Sequence, residues 1–116
     1  MTDALTGLRD ALRAFAAERD WDRFHSPRNL ATALAVEAAE LLEPFQWLGE
    51  GQDRDLPPET RAAVEAEMAD VLLYLVRLAD KLGVDLESAA HAKIARNAEK
   101  YPVEKSRGSS RKYDAL

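Results

Sequence analysis

Residues 68–79 read MADVLLYLVRLA, and the fold is decided around this stretch. Only Asp70 and Arg77 are charged in it. At about 100° per residue, Leu72, Leu73, Leu75, Val76 and Leu78 point in every direction around a helix axis. A helix apolar all round must be buried all round. Three partner helices from a chain of 116 residues can hardly do that. A symmetric homo-oligomer with this helix near its centre follows from the pattern.

The rest of the chain agrees with a helix here. Alanine and leucine supply 37 residues, against 11 for valine, isoleucine and threonine together, a bias toward helices and away from strands. No stretch sustains two-residue alternation. Pro57-Pro58 opens the helix and Gly83 closes it, proline at the start and glycine just past the end. A first helix covers about residues 3–19, with Leu5, Leu8, Leu12 and Phe15 on one face. A connector, residues 20–25, leads to Ser26-Pro27, an N-cap followed by proline at the first helical position. The second helix runs to about residue 43 and stops at Pro44. Residues 49–55 form a polar loop, and Asp85 caps a fourth helix that reaches about residue 100. The expectation is an all-α fold, a four-helix-bundle protomer over residues 1–102 with a basic, aperiodic tail over 103–116.

The chain carries 21 acidic and 16 basic side chains, a net charge of −5, and no cysteine. Disulfides, thiolate metal sites and cysteine nucleophiles are excluded. No apolar run approaches the roughly 20 residues needed to span a bilayer, and Met1 is not followed by a signal segment. A soluble, cytoplasmic protein is expected. An acidic chain is unsuited to displacing counterions from extended nucleic acid, so no polymer and no membrane is expected as partner. The charge is uneven, however. Residues 35–70 hold ten acidic side chains against Arg54 and Arg61, while residues 101–116 have a balance of +2.

Two acidic pairs stand out in that acidic stretch. Glu37 and Glu40 lie on the second helix, Glu67 and Asp70 on the third, each pair spaced i, i+3 and so on one side of its helix. Most such pairs line a solvated face. Here Glu37 falls among Leu30, Ala33, Leu34 and Leu41, and Glu67 between Val71, Tyr74 and Leu78, with Glu40 and Asp70 at the stripe edges. An uncompensated carboxylate among leucines costs several kcal/mol, on the order of 3–5 once a partner is missing. Arg77 and Lys81 flank Asp70, but nothing basic lies near Glu37 or Glu40 on their helix. The simplest compensation is a hard divalent cation, for which oxygen ligands are suited, and Mg²⁺ takes its remaining ligands from water and substrate phosphates. Di-iron bundles place a histidine three residues after a glutamate. Glu40 and Asp70 occupy those positions, which disfavours iron.

Other residues gain meaning beside such a site. On the fourth helix Lys93, Asn97, Lys100 and Tyr101 share one arc. Alone this reads as an amphipathic rim with snorkelling lysines; beside a metal–phosphate site it offers charge and an amide to a substrate. Arg28 and Asn29, at the start of the second helix, are either surface residues or phosphate contacts. Trp21, Phe24, His25 and Trp47 lie outside the main apolar stripes. They either pack a small core or sandwich a nucleobase, where stacking contributes about 1–3 kcal/mol per base.

Glu37-x-x-Glu40 followed after 26 residues by Glu67-x-x-Asp70 resembles the metal motif of the MazG-like all-α nucleoside triphosphate pyrophosphohydrolases, most nearly the dCTP pyrophosphatases. Further resembling segments include Phe24-His25, Pro27-Arg28-Asn29-Leu30, Phe45-Gln46-Trp47, Asp70-Val71-Leu72, Tyr101-Pro102-Val103 and Ser106-Arg107-Gly108-Ser109, so that nearly the whole chain is covered. The resemblance implies Mg²⁺-dependent hydrolysis of a nucleoside triphosphate such as dCTP to the monophosphate and pyrophosphate. Mg²⁺ would be held by Glu37, Glu40, Glu67 and Asp70, with Glu37 or Glu40 accepting the proton of the attacking water. Trp21 and Trp47 would flank the base, His25, Tyr74 and Asn97 would lie nearby, and Lys93 would meet the phosphates. It also implies a homotetramer built as a dimer of dimers. Another base preference (dUTP or broad), or a non-enzymatic helical oligomerisation module, is the alternative.

Overall fold

Five α-helices and four short 3₁₀ turns, with no strand, make up residues 2–116, the part described by the computed structural model. Helix α1 spans Asp3–Glu18. It ends where Asp20 takes a left-handed φ of 54°, a conformation that aspartate tolerates better than most residues. The connector then makes one 3₁₀ turn, Asp22–Phe24. Helix α2, Pro27–Leu42, starts with the Ser26 hydroxyl accepting from the Asn29 backbone N–H at 3.2 Å, while the Asn29 side-chain amide donates back to the Phe24 carbonyl at 2.9 Å. Asn29 therefore ties the connector to α2. Pro44 does not stop the chain abruptly; it is absorbed in a 3₁₀ turn, Glu43–Phe45.

Helix α3, Pro58–Leu82, is the longest at 25 residues. It ends in a left-handed Gly83 at φ 67°, with the Gly83 and Val84 N–H groups donating to the Asp80 and Ala79 carbonyls, which satisfies the last turn. Helix α4, Leu86–Lys100, is capped by the Asp85 carboxylate accepting from Ser88 N–H at 3.1 Å. Beyond Pro102 the chain is more ordered than its aperiodic sequence suggests. It forms one helical turn, α5 (Val103–Ser106), and a final 3₁₀ turn, Tyr113–Ala115. Tyr113 packs edge-on against Tyr101 and receives the Lys100 ammonium over its ring.

The packing departs from a four-helix protomer. Helix α3 packs along α2 and, less extensively, α1, and the small core between them holds Ala16, Leu30, Val64, Val76 and Ala79. Each large member of that core contributes about 1.5–3 kcal/mol by its burial. Helix α4 carries no buried residue and leaves Ile94 66% exposed. The Cα radius of gyration is 17.8 Å, against about 13 Å for a compact domain of this length. The apolar face of α3 turned away from α1 and α2 stays open, with Met68, Leu72, Leu75 and Leu82 exposed. The physical reason is the one the 68–79 stretch implies: one copy of the chain cannot cover this helix.

Candidate functional site

The long contact between α2 and α3 sets the two acidic pairs facing one another. Carboxylate oxygens of Glu37, Glu67 and Asp70 all lie within 4.8 Å of one another, and all three residues are half-buried. Glu40, one turn beyond Glu37, lies within hydrogen-bonding reach of it but outside this group of three. Glu37 Oε2 and Glu67 Oε2 are buried with no donor offered to them. A carboxylate can satisfy another only by holding a proton between them. The hydrogen bond to Glu67 therefore pushes the Glu37 carboxyl up to about 7, helped by a second to Glu40, by burial, and by the negative charges of Glu40 and Asp70. Half-buried, mutually repelling carboxylates with orphaned oxygens and no protein cation among them fit a hard divalent cation bound through oxygen.

Asp70 belongs to a second feature as well. It lines a cleft of about 430 Å³ between α1, the connector and α3, together with Leu8, Ala11, Leu12, Phe15, Trp21, His25, Leu73, Tyr74 and Arg77. That size is ordinary for a small-molecule site. The walls are largely apolar and aromatic. Trp21 stands edge-on to Phe15 at 5.7 Å between ring centroids and to His25 at 6.4 Å.

Behind the cleft lies a charge network that sequence spacing alone did not reveal. Arg77 is 5% exposed. Its Nε donates to His25 Nδ1 at 3.1 Å, and its terminal nitrogens donate to Asp22 at 2.7 Å and Asp80 at 3.4 Å. Asp80 is also gripped by both arms of Arg13, and Asp22 accepts from Lys81. The Arg13 hydrogen bond holds the Asp80 carboxyl below its ordinary range, and the Lys81 hydrogen bond does the same for Asp22. Burial, then the neighbouring Arg77 and Lys81 cations, lower the His25 imidazole. Arg77 and Lys81 thus turn toward the connector and do not neutralise the acidic cluster.

The remaining expected site residues fall into two sets. Trp21, His25 and Tyr74 line the cleft. Trp47 does not line this cleft: it lies just past the Glu43–Phe45 turn and is 87% exposed. Lys93, Asn97, Lys100 and Tyr101 are exposed on the projecting α4, outside the cleft of their own chain. Leu12, Phe15 and Leu73 line the cleft as well, and none of them was among the expected site residues. Arg77 could have been suspected as the sole cation in an otherwise apolar stretch with an acid three residues on.

Residues 32–116 match the profile of the MazG-like family. Over 114 residues, 97% of this chain and 67% of the relative, the sequence is 47% identical to mouse dCTP pyrophosphatase 1; the human protein of that name is 46% identical over the same shares. The fold is similar to that of a crystallised pyrophosphatase from Archaeoglobus fulgidus, with a TM-score of 0.78 and 37% identity, covering 88% of this chain and 95% of the other. With most of its length matched and its acidic pairs facing across two helices, the chain belongs to the MazG-like family.

Proposed function

We propose that this protein is a nucleoside triphosphate pyrophosphohydrolase acting on dCTP, releasing dCMP and pyrophosphate in a cytoplasmic nucleotide pool. The observation that carries the reading is the junction at Asp70: a cluster of three carboxylates opens directly into an aromatic cleft sized for a nucleoside. A base in the cleft then sets its phosphates at the acidic end. The relatives' names and the pyrophosphatase neighbour support the same chemistry.

Glu37, Glu67 and Asp70 would hold Mg²⁺, with Glu40 completing the set. Bound there, the ion would neutralise phosphate charge and polarise the scissile phosphoryl group. The protein's own residues do the rest. Trp21, Phe15 and Tyr74 hold the base by stacking and exclude water from it. Glu37 or its neighbour Glu40 accepts the proton of the water that attacks the α-phosphorus in line. Lys93, Asn97, Lys100 and Tyr101 are assigned to the substrate, and the projection of α4 away from α1–α3 supports their serving a neighbouring protomer's site. The open apolar face of α3 supports a homo-oligomer, which we assign as a tetramer.

Initial rates on dCTP, dUTP, dTTP and purine deoxynucleotides, measured for the wild type and Glu67→Gln, test the assignment. Mg²⁺-dependent turnover of dCTP by the wild type, lost in a variant that keeps its helical circular dichroism, is expected. A preference for uracil would replace the base assignment, and wild-type-like turnover by Glu67→Gln would remove the carboxylate cluster from the mechanism.

A further inference from the structure

Arg77 is conspicuous because nothing in the hydrolysis reaction requires it, yet it is buried and anchored at all three guanidinium nitrogens. Arginine carries only donors. His25 Nδ1, which accepts from Arg77 Nε at 3.1 Å, must therefore lack a proton, and the imidazole carries its single proton on Nε2. Of the charged groups around His25, the cations Arg77 and Lys81 oppose a second proton, while Asp22 alone favours one, and Asp22 is already engaged by both of those cations.

We propose that Arg77, pinned between Asp22 and Asp80, is a positioning residue that locks His25 in one tautomer, so that His25 shows the cleft a hydrogen-bond donor and selects bases presenting an acceptor there. N3 of cytosine is such an acceptor, whereas N3 of uracil and thymine carries a hydrogen and meets a donor with a donor. Arg77 thereby sets base choice without touching the base. The selectivity part of this inference rests on the nucleotide reading of the cleft; the tautomer part does not.

The chain has only two histidines, His25 and His91, so ¹⁵N-histidine labelling gives a readable spectrum. In substrate-free wild type the His25 ring is expected to show one protonated and one unprotonated nitrogen, unchanged from pH 6 to 8. A doubly protonated ring, or two tautomers in comparable amounts at pH 7, overturns the lock. In Arg77→Gln, whose side-chain amide can both donate and accept, both tautomers are expected, and the ratio of kcat/KM for dCTP over dUTP should fall about tenfold, the loss of roughly one hydrogen bond, mostly through KM for dCTP. An unaltered ratio with altered tautomers overturns the selectivity claim alone. Should Arg77→Gln not fold, Asp22→Asn, which removes an exposed anchor of Arg77, is expected to mix the tautomers in the same sense; an unmixed spectrum there contradicts the anchoring.

Discussion

The shared proton at Glu37 makes metal binding pH-dependent in a way that can be worked out in advance. A cation bound by Glu37, Glu67 and Asp70 must displace that proton. With the carboxyl at about 7, roughly nine-tenths of the sites are open at pH 8 and one-tenth at pH 6, so apparent Mg²⁺ affinity should fall about tenfold across that window. The stability of the metal-free protein should move the opposite way. A carboxyl raised above its unfolded value of 4.5 contributes stability below that value and loses it as pH climbs through about 7. His25 pulls the other way, since its lowered pKa disfavours the folded state as pH drops below 6.5. The perturbation that isolates Glu37 is therefore Glu67→Gln, which removes the leading cause of its shift and leaves His25 alone. Thermal melts of both proteins in EDTA between pH 5 and 8, with Mg²⁺ calorimetry on the wild type at pH 6 and 8, provide the comparison. The wild-type-minus-variant melting difference should decline with rising pH, and calorimetry in two buffers of different ionisation enthalpy should show close to one proton released per ion at pH 6. Equal Mg²⁺ affinity at pH 6 and 8 would refute the shared proton.

Three further outcomes follow from the packing. Trp21→Ala should raise KM for dCTP by about 10- to 100-fold, the loss of one stacking contact of roughly 1–3 kcal/mol, with a smaller change in kcat by steady-state kinetics. Asp80→Asn should destabilise the protein by about 2 kcal/mol in urea titration, because buried Arg77 loses a charged partner. Since the Asp80 carboxyl is depressed, its contribution is present above an unfolded value near 3.8 and disappears as pH falls through its lower folded value; a cost that persists undiminished at pH 2 would contradict the pairing. Leu72→Glu, on the open face of α3, should reduce the mass measured by light scattering to that of a smaller species, and an unchanged mass would place the interface elsewhere.

Much of this structure is legible from local chemistry. The caps at Ser26, Asp85 and Gly83 act over three or four residues, so the helix ends they set could be placed to within a residue or two. Glu37 and Glu67 betrayed themselves by sitting in apolar stripes, a conflict between pattern and residue type that a structural role does not resolve. What stayed hidden depends on contacts between distant segments. The fourth helix has ordinary amphipathic spacing, and nothing local reveals that it stands away from α1–α3. Trp47 and Trp21 are both stray aromatics in sequence, yet Trp21 packs against Phe15 and His25 while Trp47 is left 87% exposed. Arg77 looked like a neighbour of Asp70, seven residues along one helix; its partners Asp22 and His25 are 55 and 52 residues away, which periodicity cannot show.

Product identification by ³¹P NMR, with dCTP and Mg²⁺ in ¹⁸O-labelled water, bears most directly on the proposed reaction. Cleavage at the α-phosphorus gives dCMP carrying the label and unlabelled pyrophosphate. Release of orthophosphate, or label found in pyrophosphate, would contradict it.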